Sequence, residues 1–324
     1  EGAKVPTCSL AHDRARRDTA QMEHVPPPRV EGTITLPDGR FLGFAEFGEP
    51  KGRTVLWFHG TPGARRQLPP EMRRLAHSRN VRLIGLERPG AGDSTSHFYD
   101  QVLDWSDDVA VVLDHLGVGD YAAIGLSGGG PYVLACAAAH PNRMVAGAIL
   151  GGVAPTTGPE APEGGMIRLA QRFQHAIRAV RAPLGTFAGA TVQVLRPVAS
   201  PVFGLATRVF PEGDRAVFAV PEMKDMFLED IAHGATRGLH SVFFDILLFS
   251  RPWGFDLADL TVPIRFWQGD ADPIVPVEHA ERMAKLVPDS ELQVRPDESH
   301  LGGLMIADEV LDILLDLWPA TRAA

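Results

Sequence analysis

Two cysteines, Cys8 and Cys136, are all that the 324 residues contain. A disulfide scaffold and a four-thiolate metal site are therefore excluded. Cys136 lies in the apolar run Val133–Ala139 and reads as a buried, inert thiol. Cys8 lies in a polar tail, and a bridge between the two is not expected. An excess of positive charge is missing as well: 31 Lys and Arg against 40 Asp and Glu leave a formal net charge of −9. A protein that grips a nucleic-acid backbone needs a positive face, so no nucleic-acid partner is expected. Long apolar runs are also absent. The best, Leu239–Phe249, contains Asp245 and is too short to span a bilayer. Residues 1–30 carry charges throughout without the apolar stretch of a signal peptide. The expectation is a cytoplasmic protein with no integral membrane segment.

What is there is globular. Charged residues are 22% and the apolar group 45%, and the length allows one large α/β domain or two smaller ones. Residues 1–28 read as a tail closed by Pro26-Pro27-Pro28. Val30–Leu36 and Phe41–Phe47 flank Pro37-Asp38-Gly39-Arg40, the pattern of a hairpin. Short apolar runs then alternate with helical stripes. Thr54–Phe58, Val81–Leu86, Tyr121–Leu126 and Met144–Leu150 read as strands. Pro70–Ser78, Trp105–Leu116 and Gly130–Ala139 read as helices. Such alternation predicts a mostly parallel sheet covered on both faces. From Gly152 to about Trp253 the texture is helical, with Met166–Val180 a basic-faced helix, Leu184–Phe210 broken by Pro197 and Pro201, and one or two helices in Pro221–Phe249. The alternation resumes with strand Ile264–Gln268, helix Val277–Leu286, strand Glu291–Arg295 and helix Gly303–Trp318. The expected organisation is a core over 29–152 and 257–324, interrupted over 153–256.

The sharpest chemical signal is Gly125-Leu126-Ser127-Gly128-Gly129, where a strand feeds straight into Ser127 and a small-residue helix leaves it. A serine on such a turn sits in a strained backbone, and the flanking glycines remove side chains that would crowd it. A serine hydroxyl needs a base. Of twelve histidines, His300 is the candidate, on the loop after the last strand, at the sheet edge where ligands of open α/β sheets bind. The imidazole needs an orienting carboxylate. Asp270 and Asp272 both follow strand Ile264–Gln268; Asp272 is the choice, with Asp270 as a brace for the loop. Backbone donors for an oxyanion would come from Gly128 and, in the loop His59-Gly60-Thr61-Pro62-Gly63, from Thr61, whose hydroxyl could add a bond. His59 reads as a loop organiser more than a proton shuttle. In the turn Glu87–Ser94, Glu87 and Arg88 read as scaffold, paired with each other or bonded to loop backbone. Ser94 lacks the strand–turn–helix setting of a nucleophile. No His-Glu-x-x-His occurs, Asp107 and Asp108 cannot share a helix face, and the glycines at 125–130 have neither dinucleotide-loop spacing nor a following Lys. No metal and no cofactor are expected.

This set of motifs resembles the α/β-hydrolase fold family, and most of all its capped serine-hydrolase branch of proline iminopeptidases, epoxide-hydrolase-like proteins, haloperoxidase-like enzymes and carboxylesterases. The likeness runs from about Val30 to Trp318 through the first glycine loop, the Arg88–Gly92 turn, the Gly125–Gly129 elbow, the Gly269–Pro276 loop and His300. The resemblance supports Asp272 over Asp270. It implies a mostly parallel sheet flanked by helices, with a helical cap inserted after the sixth strand and supplying the substrate pocket. Phe243, Phe244 and Phe249 would line that pocket or glue the cap to the core. Ser127 stands where the epoxide hydrolases have Asp, which implies acyl-serine chemistry. Proline iminopeptidases usually carry a Trp in the elbow, where this chain has Gly128. The expected function is a carboxylesterase acting on a small to medium hydrophobic ester. The alternatives are an amidase, aminopeptidase or C–C hydrolase on the same residues, and a non-catalytic ligand-binding member of the fold. An amide-selective enzyme would need a cap carboxylate for the substrate amine, with Glu222, Glu229, Asp230 and Asp245 available. The expected partner is a small-molecule ester or amide, with a homodimer left open.

Overall fold

The computed structural model describes residues 25–162, 185–194 and 210–319. Among them, eight strands form one sheet: β1 (Val30–Thr35), β2 (Phe41–Gly48), β3 (Arg53–Phe58), β4 (Val81–Leu86), β5 (Tyr121–Leu126), β6 (Met144–Leu150), β7 (Ile264–Gly269) and β8 (Ser290–Arg295). Their order is β1-β2-β4-β3-β5-β6-β7-β8. Only the pairs of β2, with β1 and with β4, are antiparallel. The hairpin turns where Pro37–Arg40 predicts it, with Gly39 at φ +85° and Leu36 N–H donating to Arg40 O at 2.7 Å.

The strands β5, β6 and β7 are buried at every residue, as expected of parallel strands covered on both faces. Alternate residues feed two separate cores. Leu56 and Phe58 of β3 join Trp105, Tyr132, Val133 and Met283. Val55 and Trp57 of the same strand join Met72, Ala76, Val310 and Leu314 on the other face. The covering helices are α1 (Pro70–Ser78), α2 (Trp105–His115), α3 (Gly130–Ala139), α7 (Val277–Leu286) and α8 (Ala307–Asp316). Pro70 opens α1, where its missing N–H costs nothing.

Between β6 and β7 lie α4 (Glu212–Ala219), α5 (Pro221–Gly234) and α6 (His240–Phe249), besides helical residues 185–194. The one or two helices expected in Pro221–Phe249 are α5 and α6, whereas the eight residues of α4 fall below the length at which periodicity speaks. The final helix is also shorter than expected. A 3-10 turn at Gly302–Met305 precedes α8, because the chain must leave the His300 loop through two glycines. The tail to residue 24 (with Cys8), the helix expected over Met166–Val180, and Pro197 and Pro201 lie outside the described residues. Among the described residues no helix is long and apolar enough to cross a membrane.

The strand order positions the site. From β3 the chain passes to β4 on one side and then returns to β5 on the other. The loops leaving the carboxyl ends of β3 and β5 therefore part in opposite directions and leave a crevice between them, the place where open α/β sheets bind ligands.

Candidate active site

Ser127 leaves β5 at φ +51°, in the left-handed region that costs a non-glycine residue roughly 1–2 kcal/mol. The flanking glycines make this turn possible. A Cβ on Gly125 would lie 2.6 Å from the backbone of Gly129, and one on Gly129 would lie 2.1 Å from Phe58 O. So tight a turn holds the Ser127 hydroxyl at the strand's end.

Three elements converge on that hydroxyl. Ser127 Oγ lies 2.9 Å from His300 Nε2. His300 Nδ1 lies 2.6 Å from Asp272 Oδ2. The carboxylate only accepts, so Nδ1 carries the ring proton and Nε2 is left to accept from the serine. Asp272 is itself held: Oδ1 accepts from Ile274 N at 2.8 Å and Val275 N at 2.9 Å, and Oδ2 accepts from Gln268 Nε2 at 2.8 Å. Asp272 and His300 are 5% and 7% exposed, so their attraction is little weakened by water. Asp270 does not join them. Its Oδ1 accepts from Asp297 N at 2.8 Å and ties the β7 loop to the His300 loop.

The loop after β3 faces the elbow. A Cβ on Gly128 would lie 2.3 Å from Thr61 Oγ1 and 3.4 Å from a Phe249 ring carbon, so Thr61 and Phe249 both crowd this position. His59 is fully buried, with Nδ1–H donating to Gly60 O at 2.7 Å and Nε2 accepting from Arg88 N at 3.2 Å. Burial, and then the Arg88 charge, hold its pKa well below the usual 6.5. With both nitrogens engaged inside the loop, His59 organises it. Gln67 binds the same loop from the other side, accepting from Gly60 N and donating to Pro62 O at 2.9 Å; its side chain crowds the space beside Gly63.

Glu87 and Arg88 are not paired with each other. Arg88, 2% exposed, donates to His59 O at 2.6 Å, Gly60 O at 2.9 Å and Asp245 Oδ2 at 2.9 Å. Glu87 accepts from Asp93 N at 2.9 Å and bonds His233 Nε2 at 2.6 Å. Both thus serve loop backbone, the second of the two expectations. Glu87, Asp93 and His233 also bring ligand-type atoms together, within 4.8 Å of one another. The Arg65 guanidinium, 3.2 Å from Glu87 and 2.8 Å from Asp93, already supplies the cation there. Ser94 is buried, donating to Glu87 O and accepting from Gly43 N, with nothing of the nucleophile's setting.

Of the three phenylalanines, Phe249 is buried beside the elbow with its ring edge on Tyr132, centroids 5.8 Å apart. Phe244 is half-buried against Phe98 and His240, and Phe243 is half-buried on the same helix. Nothing in the sequence marks Gln67, Tyr132 or Gln268 for a role, and Asp245 stands there only as one of four carboxylates for a substrate amine. Asp245 carried a signal, as the acidic residue in an otherwise apolar run. The others carried none.

A hydroxyl on a strained turn, bonded to an imidazole that is bonded to a buried carboxylate, is an arrangement that can make serine a nucleophile. The family model described as alpha/beta hydrolase fold matches residues 53–304. The chain belongs to that family. Along this hydrolase-fold chain the curated relatives differ in activity. A non-heme haloperoxidase from Rhodococcus erythropolis is 27% identical over 283 residues, covering 86% of this chain and 95% of its own. A probable proline iminopeptidase from Leptolyngbya boryana is 24% identical, over 89% of this chain and 93% of its own. Among solved structures, a thermophilic esterase from Thermogutta terrifontis superposes with a TM-score of 0.64 at 23% identity, over 89% of this chain and 99% of that one. At that identity the likeness is one of fold.

Proposed function

We propose that this protein is a serine hydrolase that cleaves a carboxylic ester of a small to medium hydrophobic substrate. The observation that carries the reading is the hydrogen-bonded chain from Ser127 through His300 to Asp272, with Ser127 on a left-handed turn. In this mechanism His300 takes the proton as Ser127 Oγ attacks the ester carbonyl. Asp272 holds the ring and stabilises its cation. The amides of Gly128 and Thr61 receive the oxyanion. The alcohol leaves with the proton from His300, and water then releases the acid from the acyl-serine. The helices between β6 and β7 act as a cap over this step.

An ester is favoured over an amide because three of the four carboxylates that could have bound a substrate amine are held by other groups. Glu222 is paired with Arg74 at 2.6 Å. Asp230 is buried and accepts from Ala64 N and Arg66 N. Asp245 is taken up by Thr61, Arg88 and Tyr132. Glu229 is exposed on α5.

The test uses p-nitrophenyl esters of rising acyl length, amino-acid anilides and a fluorophosphonate probe, on wild type and Ser127→Ala. Ester turnover and a probe adduct should both be present in wild type. Turnover should fall by roughly 10⁴-fold or more in the variant, with the adduct lost. Anilide turnover above ester turnover would move the assignment to an amidase. An unlabelled, inactive wild type would overturn it.

A further inference from the structure

Both carboxylate oxygens of Asp245 are hydrogen-bonded, and two of their partners, Arg88 and Thr61, belong to or grip the loop after β3. Asp245 lies on α6, within the segment between β6 and β7, and is 2% exposed. Its Oδ1 accepts from the Tyr132 hydroxyl at 2.7 Å. Its Oδ2 accepts from Arg88 Nε at 3.1 Å, from Arg88 Nη2 at 2.9 Å and from Thr61 Oγ1 at 2.5 Å. Burial, and then the Asp245 charge, push Tyr132 well above the usual phenol range, so it remains a donor.

The Thr61 hydroxyl has one proton, and Asp245 takes it. The same oxygen accepts from Arg88 Nη2 at 3.1 Å. The expectation that this hydroxyl adds a bond to an oxyanion is therefore corrected: its proton is spent. What Asp245 controls is geometry. Gly60 O and Thr61 N–H belong to one planar, trans peptide unit and point in opposite directions. Arg88 Nη2 and His59 Nδ1 both grip Gly60 O, at 2.9 and 2.7 Å, so the direction of Thr61 N–H is set. Asp245 in turn holds the guanidinium that does the gripping, and holds the Thr61 side chain against the elbow at Gly128.

We propose that Asp245 is a positioning residue for the oxyanion loop, acting through Arg88 and Thr61, so that the hole is complete only while α6 is docked on the core. The inference rests on the serine-hydrolase reading. It makes a carboxylate from the inserted segment part of the apparatus that sets kcat, not part of substrate recognition.

The experiment compares wild type, Asp245→Asn, Thr61→Val and the double variant. It measures kcat and KM on a p-nitrophenyl ester, affinity for an aryl trifluoromethyl ketone (whose hemiketal mimics the oxyanion) and the cooperative urea transition. Each single variant should lose about 10- to 100-fold in kcat and a similar factor in inhibitor affinity, with KM within about twofold. The double variant should lose no more than the worse single one, because both changes break one path. A folded Asp245→Asn with wild-type kcat and inhibitor affinity overturns the inference, as does additivity in the double variant. If Asp245→Asn does not fold, near-isosteric Thr61→Val decides alone, and wild-type kcat in it is the overturning result. A wild type that neither turns over esters nor takes the fluorophosphonate label fails earlier, and brings down the serine-hydrolase reading and this inference together.

Discussion

At the scale of single residues, the site depends on absent atoms as much as on present ones. Gly128 is the clearest case, because the Thr61 hydroxyl occupies the space that a side chain would need. In Gly128→Ala the new Cβ would lie 2.3 Å from Thr61 Oγ1 and 3.1 Å from Thr61 Cβ. Thr61 is held by Asp245 and Arg88 and cannot swing aside freely. The expected result is a loss of about 1–3 kcal/mol in urea denaturation, the usual cost of overpacking, together with a lower kcat. Wild-type stability and kcat in the variant would show that the loop yields. Ser127, Asp272 and His300 were legible because each sits at a recognisable strand-to-loop junction. Gln268, which donates to Asp272, is an ordinary strand residue in sequence, and only the folded loop brings its amide to the carboxylate.

At the scale of elements, α5 is joined to the loop after β3 by a buried carboxylate. Asp230 is fully buried and accepts from Ala64 N at 2.8 Å and Arg66 N at 3.0 Å. Burial is the largest influence and pushes its pKa up to about 7; the Ala64 bond opposes this and the Glu87 charge adds to it. A carboxyl whose folded pKa exceeds its unfolded value binds its proton more tightly when folded. Its contribution to stability is then full below the ordinary carboxylate range and is lost as pH rises through about 7. Wild type should therefore lose stability relative to Asp230→Asn between pH 4 and pH 8, by about 4 kcal/mol at most. Thermal melts of the two proteins across that range check this, and parallel curves would rule it out. The helical character of α5 and α6 was readable from sequence, whereas their anchoring was not. A polar side chain on an amphipathic helix announces that it needs a partner once buried, but not which one.

At the scale of the whole molecule, the sheet separates two apolar cores among the described residues, and α3 is buried along Gly130–Ala137 in the larger one. Cys136 of α3 is 0% exposed, and burial raises its thiol well above the usual range. Alkylation of Cys136, located by peptide mass mapping, should follow the loss of ellipticity across a denaturant titration. Labelling under native conditions would instead reveal local opening of α3. The alternating pattern of strands and helices was legible along most of the chain, and so was the parallel character of the sheet, since uninterrupted apolar runs fit only strands covered on both faces. The short α4 was not, because eight residues span little more than two turns.

The boundary between what was readable and what was not follows the range of the interactions. The α/β alternation, the strained serine turn and the chain order of Ser127, Asp272 and His300 follow from the sequence alone. Each of these rests on steric and hydrophobic preferences acting within a few neighbouring residues. Only packing establishes that Asp245 and Asp230 join the helices between β6 and β7 to the loop after β3, and that Glu87 and Arg88 bond different partners. Those pairings span up to 184 residues of chain. Burying a charge demands a partner, but the choice among distant partners is made only when the packed elements set the distances.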